Sequence, residues 1–189
     1  MLTAKMDEYL EKDDSADERL LRQLLREALY WKALNFASVV RLGGCTRYPL
    51  DSALHEADDA LMKLQNMCGV KSSHSERLSL TGIQLFVEAT ILFCRAQALQ
   101  SGHFTVEECQ GKTHEELWQQ CLNMYLESYH KLLSASRAHV NDETIKTVTM
   151  IAVCNKLLGH REDAIEWAVE VSTVRSISLF TFCMHCTCT

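Results

Sequence analysis

Apolar residues recur at intervals of three and four along most of this chain, and residues that interrupt helices are rare. The 189 residues include seven glycines and one proline, whereas an all-β domain needs many turn residues. Intervals of three and four place side chains on one face of an α-helix. The sequence therefore predicts an all-α fold, and its length suffices for one domain with a single core.

Start and stop signals divide the periodic stretches. In a capping box, Ser or Thr and a Glu three residues later satisfy each other's backbone amides, and the chain has such boxes at Ser15–Glu18, Ser73–Glu76 and Thr113–Glu116. Asp51, after the single proline, is expected to cap another helix. The result is about six helices, each antiparallel to its neighbours, over residues 17–42, 51–67, 75–101, 114–138, 142–158 and 161–174. The third is apolar nearly all round, which is typical of a central helix.

The last two helices meet at Leu158-Gly159, where glycine accepts the left-handed conformation of a turn. Over residues 145–178 this unit resembles the tetratricopeptide repeat (TPR), a helix-turn-helix of 34 residues. Asn155, Ala168 and Ser176 depart from the family pattern, which has an aromatic, a large residue and a proline there. The residues expected to hold the hairpin together are Ile151, Ala152, Leu158, Gly159, Ala164 and Trp167.

The resemblance implies a TPR-like α-α superhelix of antiparallel hairpins, with a concave groove that receives an extended or helical segment of another protein. One imperfect unit does not assign the groove residues. An irregular helical bundle is the alternative, because any helical hairpin needs a glycine turn and a small residue nearby.

The two ends of the chain differ from its middle. We expect an acidic N-terminal tail over residues 1–14, a helical-repeat domain over 15–175 and an irregular, cysteine-rich tail over 176–189. Arg175 is the last charged residue, so we interpret the tail as the mark of a truncated or alternatively spliced isoform. The run Cys183–Cys188 leaves two alternatives open, adventitious metal binding or acylation.

Motifs of catalysis are missing. The sequence has no Gly-x-Ser-x-Gly elbow, phosphate-binding glycine loop or dinucleotide fingerprint, so we predict no enzyme, no catalytic residue and no cofactor. His55 and Asp59 share a helix face, as zinc ligands do, but no third ligand is identifiable. We therefore expect a solvated face there and no metal. Trp31, Trp118 and Trp167 are interpreted as helix-packing residues.

The net charge and the cysteine content limit which classes of partner and which cellular compartment we expect. The net charge is −6, and no Lys/Arg cluster offers a phosphate-binding surface, so we expect no nucleic acid. The N-terminus lacks a secretory signal, and Cys94, Cys121 and Cys154 lie in apolar helical stretches. Buried, reduced thiols in a cytoplasmic or nuclear protein explain them. No apolar run approaches about 18 residues, so no membrane span is expected.

These observations favour a non-enzymatic scaffold or adaptor, the helical-repeat part of a larger intracellular assembly, that binds other proteins by a peptide or helix in a groove. The alternatives are a structural subunit buried in a permanent complex and, more remotely, a metal-binding protein that uses the C-terminal cysteines. A polar groove would favour the scaffold. A flat apolar patch of several hundred Å² would favour the buried subunit.

Overall fold

The structure is a computed structural model that describes residues 16–67, 73–135 and 142–186, with the backbone alone for 16–19 and 174–186. Within these ranges the regular structure is entirely helical, which confirms the all-α prediction. The six helices are α1 (Ala16–Arg41), α2 (Leu50–Asn66), α3 (His74–Gln100), α4 (His114–Ala135), α5 (Asp142–Leu157) and α6 (Arg161–Cys186).

The observed helix limits lie close to the expected ones except at the end of α6, and the expected end of α4 at residue 138 lies outside the described residues. Helix α6 continues to Cys186, so the expected irregular tail is wrong up to that residue. The reason is that no Gly or Pro interrupts residues 161–186, and β-branched residues lower helix propensity by less than about 1 kcal/mol each. Pro49, without a side-chain cap, precedes α2. Asp51 lies in the first turn instead, where its charge suits the helix dipole.

Two of the three capping boxes lie in described residues, where Thr113–Glu116 forms completely and Ser73–Glu76 forms through its serine half. The Ser73 hydroxyl accepts the amide of Glu76 at 3.1 Å. At Thr113–Glu116 both halves are present, with Glu116 N donating to Thr113 Oγ1 and Thr113 N donating to the Glu116 carboxylate. Ser15 of the third box lies outside the described residues.

Helices α3 and α4 form the most extensive contact in the fold. They are antiparallel, because the Ser128 hydroxyl donates to Gly82 O at 2.7 Å while Ser75 near the start of α3 donates to Ala135 O at the end of α4. Glycine fits best at position 82, because a Cβ there would lie 2.8 Å from Leu132 Cγ and would force that side chain to move. The missing side chain thus sets how closely the two helices approach.

Helix α3 is the centre of the core, as its apolar girth predicted, and it packs against α1, α2 and α4. Phe86 of α3 stacks against Tyr30 of α1, and its ring also meets Tyr125 of α4. Tyr125 is fully buried, and its hydroxyl lies 3.0 Å from Thr90 Oγ1, which itself donates to Phe86 O. Burial therefore raises the pKa of Tyr125 well above its ordinary value.

Among the described helices, α3 alone is long and apolar enough to cross a membrane by length and composition. The sequence has no uninterrupted apolar run of this length, because Glu88, Arg95 and isolated Ser, Thr and Gln residues interrupt α3 without lowering its mean hydropathy far. Ten of its residues are buried inside the protein. A helix enclosed by three others needs the same composition.

Four chain segments end in the same hydrogen-bonded motif. At Gly159, the Gly159 amide donates to Lys156 O and the next amide, of His160, donates to Asn155 O, which is a Schellman motif. Gly43 and Gly102 end α1 and α3 in this way, all three glycines having φ between 75° and 81°. The fourth motif has Gln110, with φ of 60°, at the equivalent position.

Candidate protein-interaction surface

The residues expected to hold the last hairpin together lie where α5, α6 and α4 meet. Ile151 is fully buried, Gly159 forms the exposed turn, and the others are half-buried, namely Ala152, Leu158, Ala164 and Trp167. The Trp167 ring meets Tyr129 of α4 edge to face, with centroids 5.4 Å apart. Trp167 therefore joins the hairpin to the preceding helix as well as closing it.

Asn155, which replaces an aromatic of the repeat pattern, has a structural reason in this hairpin. Its side chain is buried and donates to Ile151 O at 3.0 Å, and its amide oxygen lies 3.3 Å from Nδ1 of His160. The backbone carbonyl of Asn155 also accepts the His160 amide. A polar residue at this position thus ties the end of α5 to the start of α6.

The outward face of α1 carries a row of exposed apolar side chains. Leu20, Leu21, Leu24 and Trp31 are each between 38% and 56% exposed, and at 3.6 residues per turn they fall within about 100° of one another. We call these four residues the α1 stripe. On the opposite face Ala33, Ala37 and Val40 are fully buried, so the helix has one apolar face turned inward and a second turned to solvent.

Trp31 is the largest side chain of the α1 stripe, and its neighbours hold it in place. The ring of Tyr30 meets it edge-on at 5.3 Å, and Lys146 Nζ of α5 lies 5.3 Å from its centroid. Lys146 also donates to the Tyr30 hydroxyl at 3.4 Å. The sequence pattern favoured a packing role for Trp31, but its side chain is 48% exposed. Its neighbours hold one side and leave the other open.

The opposite end of the helix series exposes apolar residues as well. Ile165 and Val169 of α6 are 57% and 61% exposed, one helical turn apart and on the side of the helix away from Trp167. The first and the last hairpin therefore each present apolar side chains to solvent. Regular repeat arrays instead end in a polar face.

His55 and Asp59, the pair that resembled zinc ligands in the sequence, lie in a region where ion pairs join α1 to α2. His55 is exposed, and the Asp59 carboxylate accepts from Lys63 at 2.9 Å and from Lys32 at 3.4 Å. These cations lower the pKa of Asp59, Lys63 having the larger effect. Lys32 also pairs with Glu56 at 2.6 Å, so the charges tie α1 to α2. No group of three or more His, Cys, Asp or Glu side chains arranged to hold a metal occurs in the described residues.

Three thiols lie deep in the core, as the sequence predicted. Cys94, Cys121 and Cys154 are buried on α3, α4 and α5 and free of disulfides. Burial raises the pKa of Cys94 to about 11 and that of Cys154 to about 12, and it raises the pKa of Cys121 as well. These thiols are therefore protonated at neutral pH and are weak nucleophiles. The side chains of Cys183–Cys188 lie outside the description.

No protein-family model matches the chain, and searches of curated proteins and of solved structures return no similar protein. What the protein does is therefore inferred from its own surface, in which the α1 stripe gathers four of the exposed large apolar side chains on one helix face.

Proposed function

We propose that the protein is a non-enzymatic interaction scaffold that holds an amphipathic helix of another protein against the α1 stripe. The observation that carries this proposal is the row of four exposed apolar side chains, one of which is the tryptophan held by its neighbours. Interfaces concentrate their binding energy in a few such residues, with tryptophan prominent among them. Because Trp31 is already held by Tyr30 and Lys146, binding costs little further side-chain entropy.

A helix suits the α1 stripe better than an extended peptide does. Leu20, Leu24 and Trp31 follow the axis of α1 over about 17 Å, at 1.5 Å per residue, which is the length of three turns of an opposing helix. Glu27 is exposed between them and makes no ion pair with the described side chains. We therefore infer a partner helix with an apolar seam and a basic residue opposite Glu27.

The TPR-like superhelix is part of the same proposal. Its support is the series of three antiparallel hairpins, in which α1 and α3 pack together as the first helices of successive units. Helix α5 packs mainly on α4 and α6. In such an array the partner would lie on the first helix of the first unit. We place this assembly inside the cell, in the cytoplasm or nucleus, since the free core thiols suit a reducing compartment.

A structural subunit of a permanent complex is the second candidate, and one observation favours it. Ile165 and Val169 leave the end opposite to the α1 stripe apolar too, as expected for a chain covered on both sides. The two candidates differ in solution: a scaffold is a stable monomer that releases its partner, whereas an obligate subunit self-associates or aggregates when isolated. Sedimentation of the purified chain separates them.

The test of the scaffold is position-specific crosslinking. A photoreactive residue replaces Ala28, exposed beside the α1 stripe, and in a matched control it replaces Gln119, exposed on α4. We expect a helical partner to crosslink from position 28 only, and Leu24→Glu to weaken its binding at least about tenfold. Residues 1–175 should capture the same partner. Equal capture from both positions, or capture unchanged by Leu24→Glu in a folded variant, would refute the proposal.

A further inference from the structure

A cavity of about 220 Å³, lined by no residue of the α1 stripe, lies between α2, α3, the start of α4 and the connection 101–113. Its apolar wall consists of Leu54, Leu92, Phe104 and Leu117. Polar side chains, among them Arg95 and Lys112, complete the lining. The lining thus combines an apolar wall with an equal share of polar and charged groups, and small-ligand sites combine the same two parts.

The connection that lines this cavity contains one hydrogen-bonded helical turn over residues 105–111. Thr105 and Glu108 form a capping box that sequence analysis missed, with the Glu108 carboxylate accepting both the amide and the hydroxyl of Thr105 at 2.7 and 2.9 Å. The turn ends at Gln110, whose φ of 60° is left-handed. A non-glycine residue pays about 1–2 kcal/mol for this conformation, and such strain clusters at ligand sites.

The cations of the cavity are incompletely paired. Lys112 donates to the neutral Gln120 amide oxygen at 2.9 Å and makes no ion pair with the described side chains. Arg95 pairs through Nη2 with Asp58, while its Nε is buried without a hydrogen-bond partner in the described part of the chain. Glu108 also lines the cavity, but its carboxylate is occupied by Thr105.

From these contacts we propose that the cavity binds a small carboxylate whose body is one aromatic ring or a short aliphatic chain. The carboxylate meets Lys112, with Arg95 beside it, and the body lies against Leu92 and Phe104. The size agrees, because a cavity of about 150 Å³ accommodates benzene. A free carboxylic acid and the C-terminus of a peptide share this chemistry.

The first measurement is calorimetric titration of the full chain with phenylacetate and with its neutral counterpart 2-phenylethanol. We expect phenylacetate to bind at least about tenfold more tightly, because a charge-assisted hydrogen bond distinguishes the two ligands. A peptide ending in phenylalanine carboxylate forms the third arm. Tighter binding of the peptide would identify the natural ligand as a chain terminus. Tighter binding of phenylacetate would identify it as a free acid. Equal affinity for acid and alcohol overturns the proposal.

A second readout locates the ligand in the cavity. Cys109 lines the cavity and is half-buried, whereas Cys45 is exposed in the connection before α2. Bound phenylacetate should slow alkylation of Cys109 several-fold and leave Cys45 unchanged, as followed by peptide mass spectrometry. Binding without protection of Cys109 would place the ligand elsewhere and contradict the assignment.

Charge variants complete the test. Lys112→Gln should weaken phenylacetate about tenfold, whereas Lys131→Gln, the same change on an α4 position outside the cavity lining, should not. Glu108→Gln should tighten binding because it removes the carboxylate that repels the ligand. Leu24→Glu should leave this binding intact, so failure of the α1 stripe proposal and failure of this one are distinguishable. Binding unaffected by Lys112→Gln would refute the cavity assignment.

Discussion

At the scale of single residues, the sequence predicts a left-handed turn where glycine is present. It does not predict the turn where another residue adopts that conformation. Gly159 was expected at a turn, and it forms one, as do Gly43 and Gly102. Gln110 adopts the same left-handed conformation, but the sequence does not predict it, because glutamine has no preference for that region. The capping box at Thr105–Glu108 was recognisable from its spacing, but no long apolar run follows it.

The strain at Gln110 leads to a stability prediction. Gln110→Gly should raise the free energy of unfolding by about 1 kcal/mol, since the left-handed penalty of a side-chain-bearing residue is about 1–2 kcal/mol and glycine's extra chain entropy offsets part of it. Urea denaturation followed by circular dichroism measures the change. In the matched variant Gly159→Ala the added Cβ meets open space, yet the positive φ should lower stability by a similar amount. An unchanged or less stable Gln110→Gly variant would show that no strain is stored there.

At the scale of helices, the apolar periodicity and the start and stop signals predicted the number, the order and the approximate limits of the helices. The prediction failed where a stop signal was missing. Nothing in residues 161–186 stops a helix, so α6 extends 12 residues beyond its expected end at 174. The change to β-branched and aromatic residues after Arg175 was read as a structural boundary, but composition alone does not end a helix. The contact between α3 and α4 through Gly82 was not legible either, because it depends on which residue of α4 lies opposite.

That contact predicts the effect of adding one methyl group. Gly82→Ala should lower the free energy of unfolding by about 1–2 kcal/mol, because overpacking costs about 1–3 kcal/mol and the better helix propensity of alanine returns about 0.5–1 kcal/mol. Leu132→Ala in the same chain removes the side chain that the new Cβ meets. The two substitutions should therefore cost less together than the sum of their separate effects. Strict additivity in chemical denaturation would show that position 82 and Leu132 do not meet.

At the scale of the whole molecule, the sequence supported the all-α fold and the burial of the core thiols but not the arrangement of helices. The contact of Lys146 with Tyr30 joins residues 116 positions apart, and no local pattern predicts such a pair. The α1 stripe was hidden for a related reason. Leu20, Leu24 and Trp31 looked like core residues of an amphipathic helix, and only the placement of α2 and α3 against the other face leaves them exposed.

Burial of the thiols predicts how the whole molecule protects them. At pH 8 the Cys94 thiol, with a pKa of about 11, is ionised in about one molecule in a thousand. Alkylation of Cys94, Cys121 and Cys154 should therefore be far slower than that of Cys45, and it should rise with denaturant in parallel with global unfolding. Peptide mass spectrometry over a urea series makes the comparison. Rapid labelling of any of the three in native conditions would show that the core opens locally.

The central position of α3 also has a consequence for the order of events during synthesis. The inner faces of α1 and α2 pack first on each other, and each helix also packs against α3, which is made after them. The ribosome adds about 5–20 residues per second, so the roughly 60 residues from the end of α1 to the end of α3 take about 3–12 s. For that interval the sides of α1 and α2 that α3 later covers stay exposed on the nascent chain, so we expect a chaperone at the exit tunnel to protect the protein most in this window.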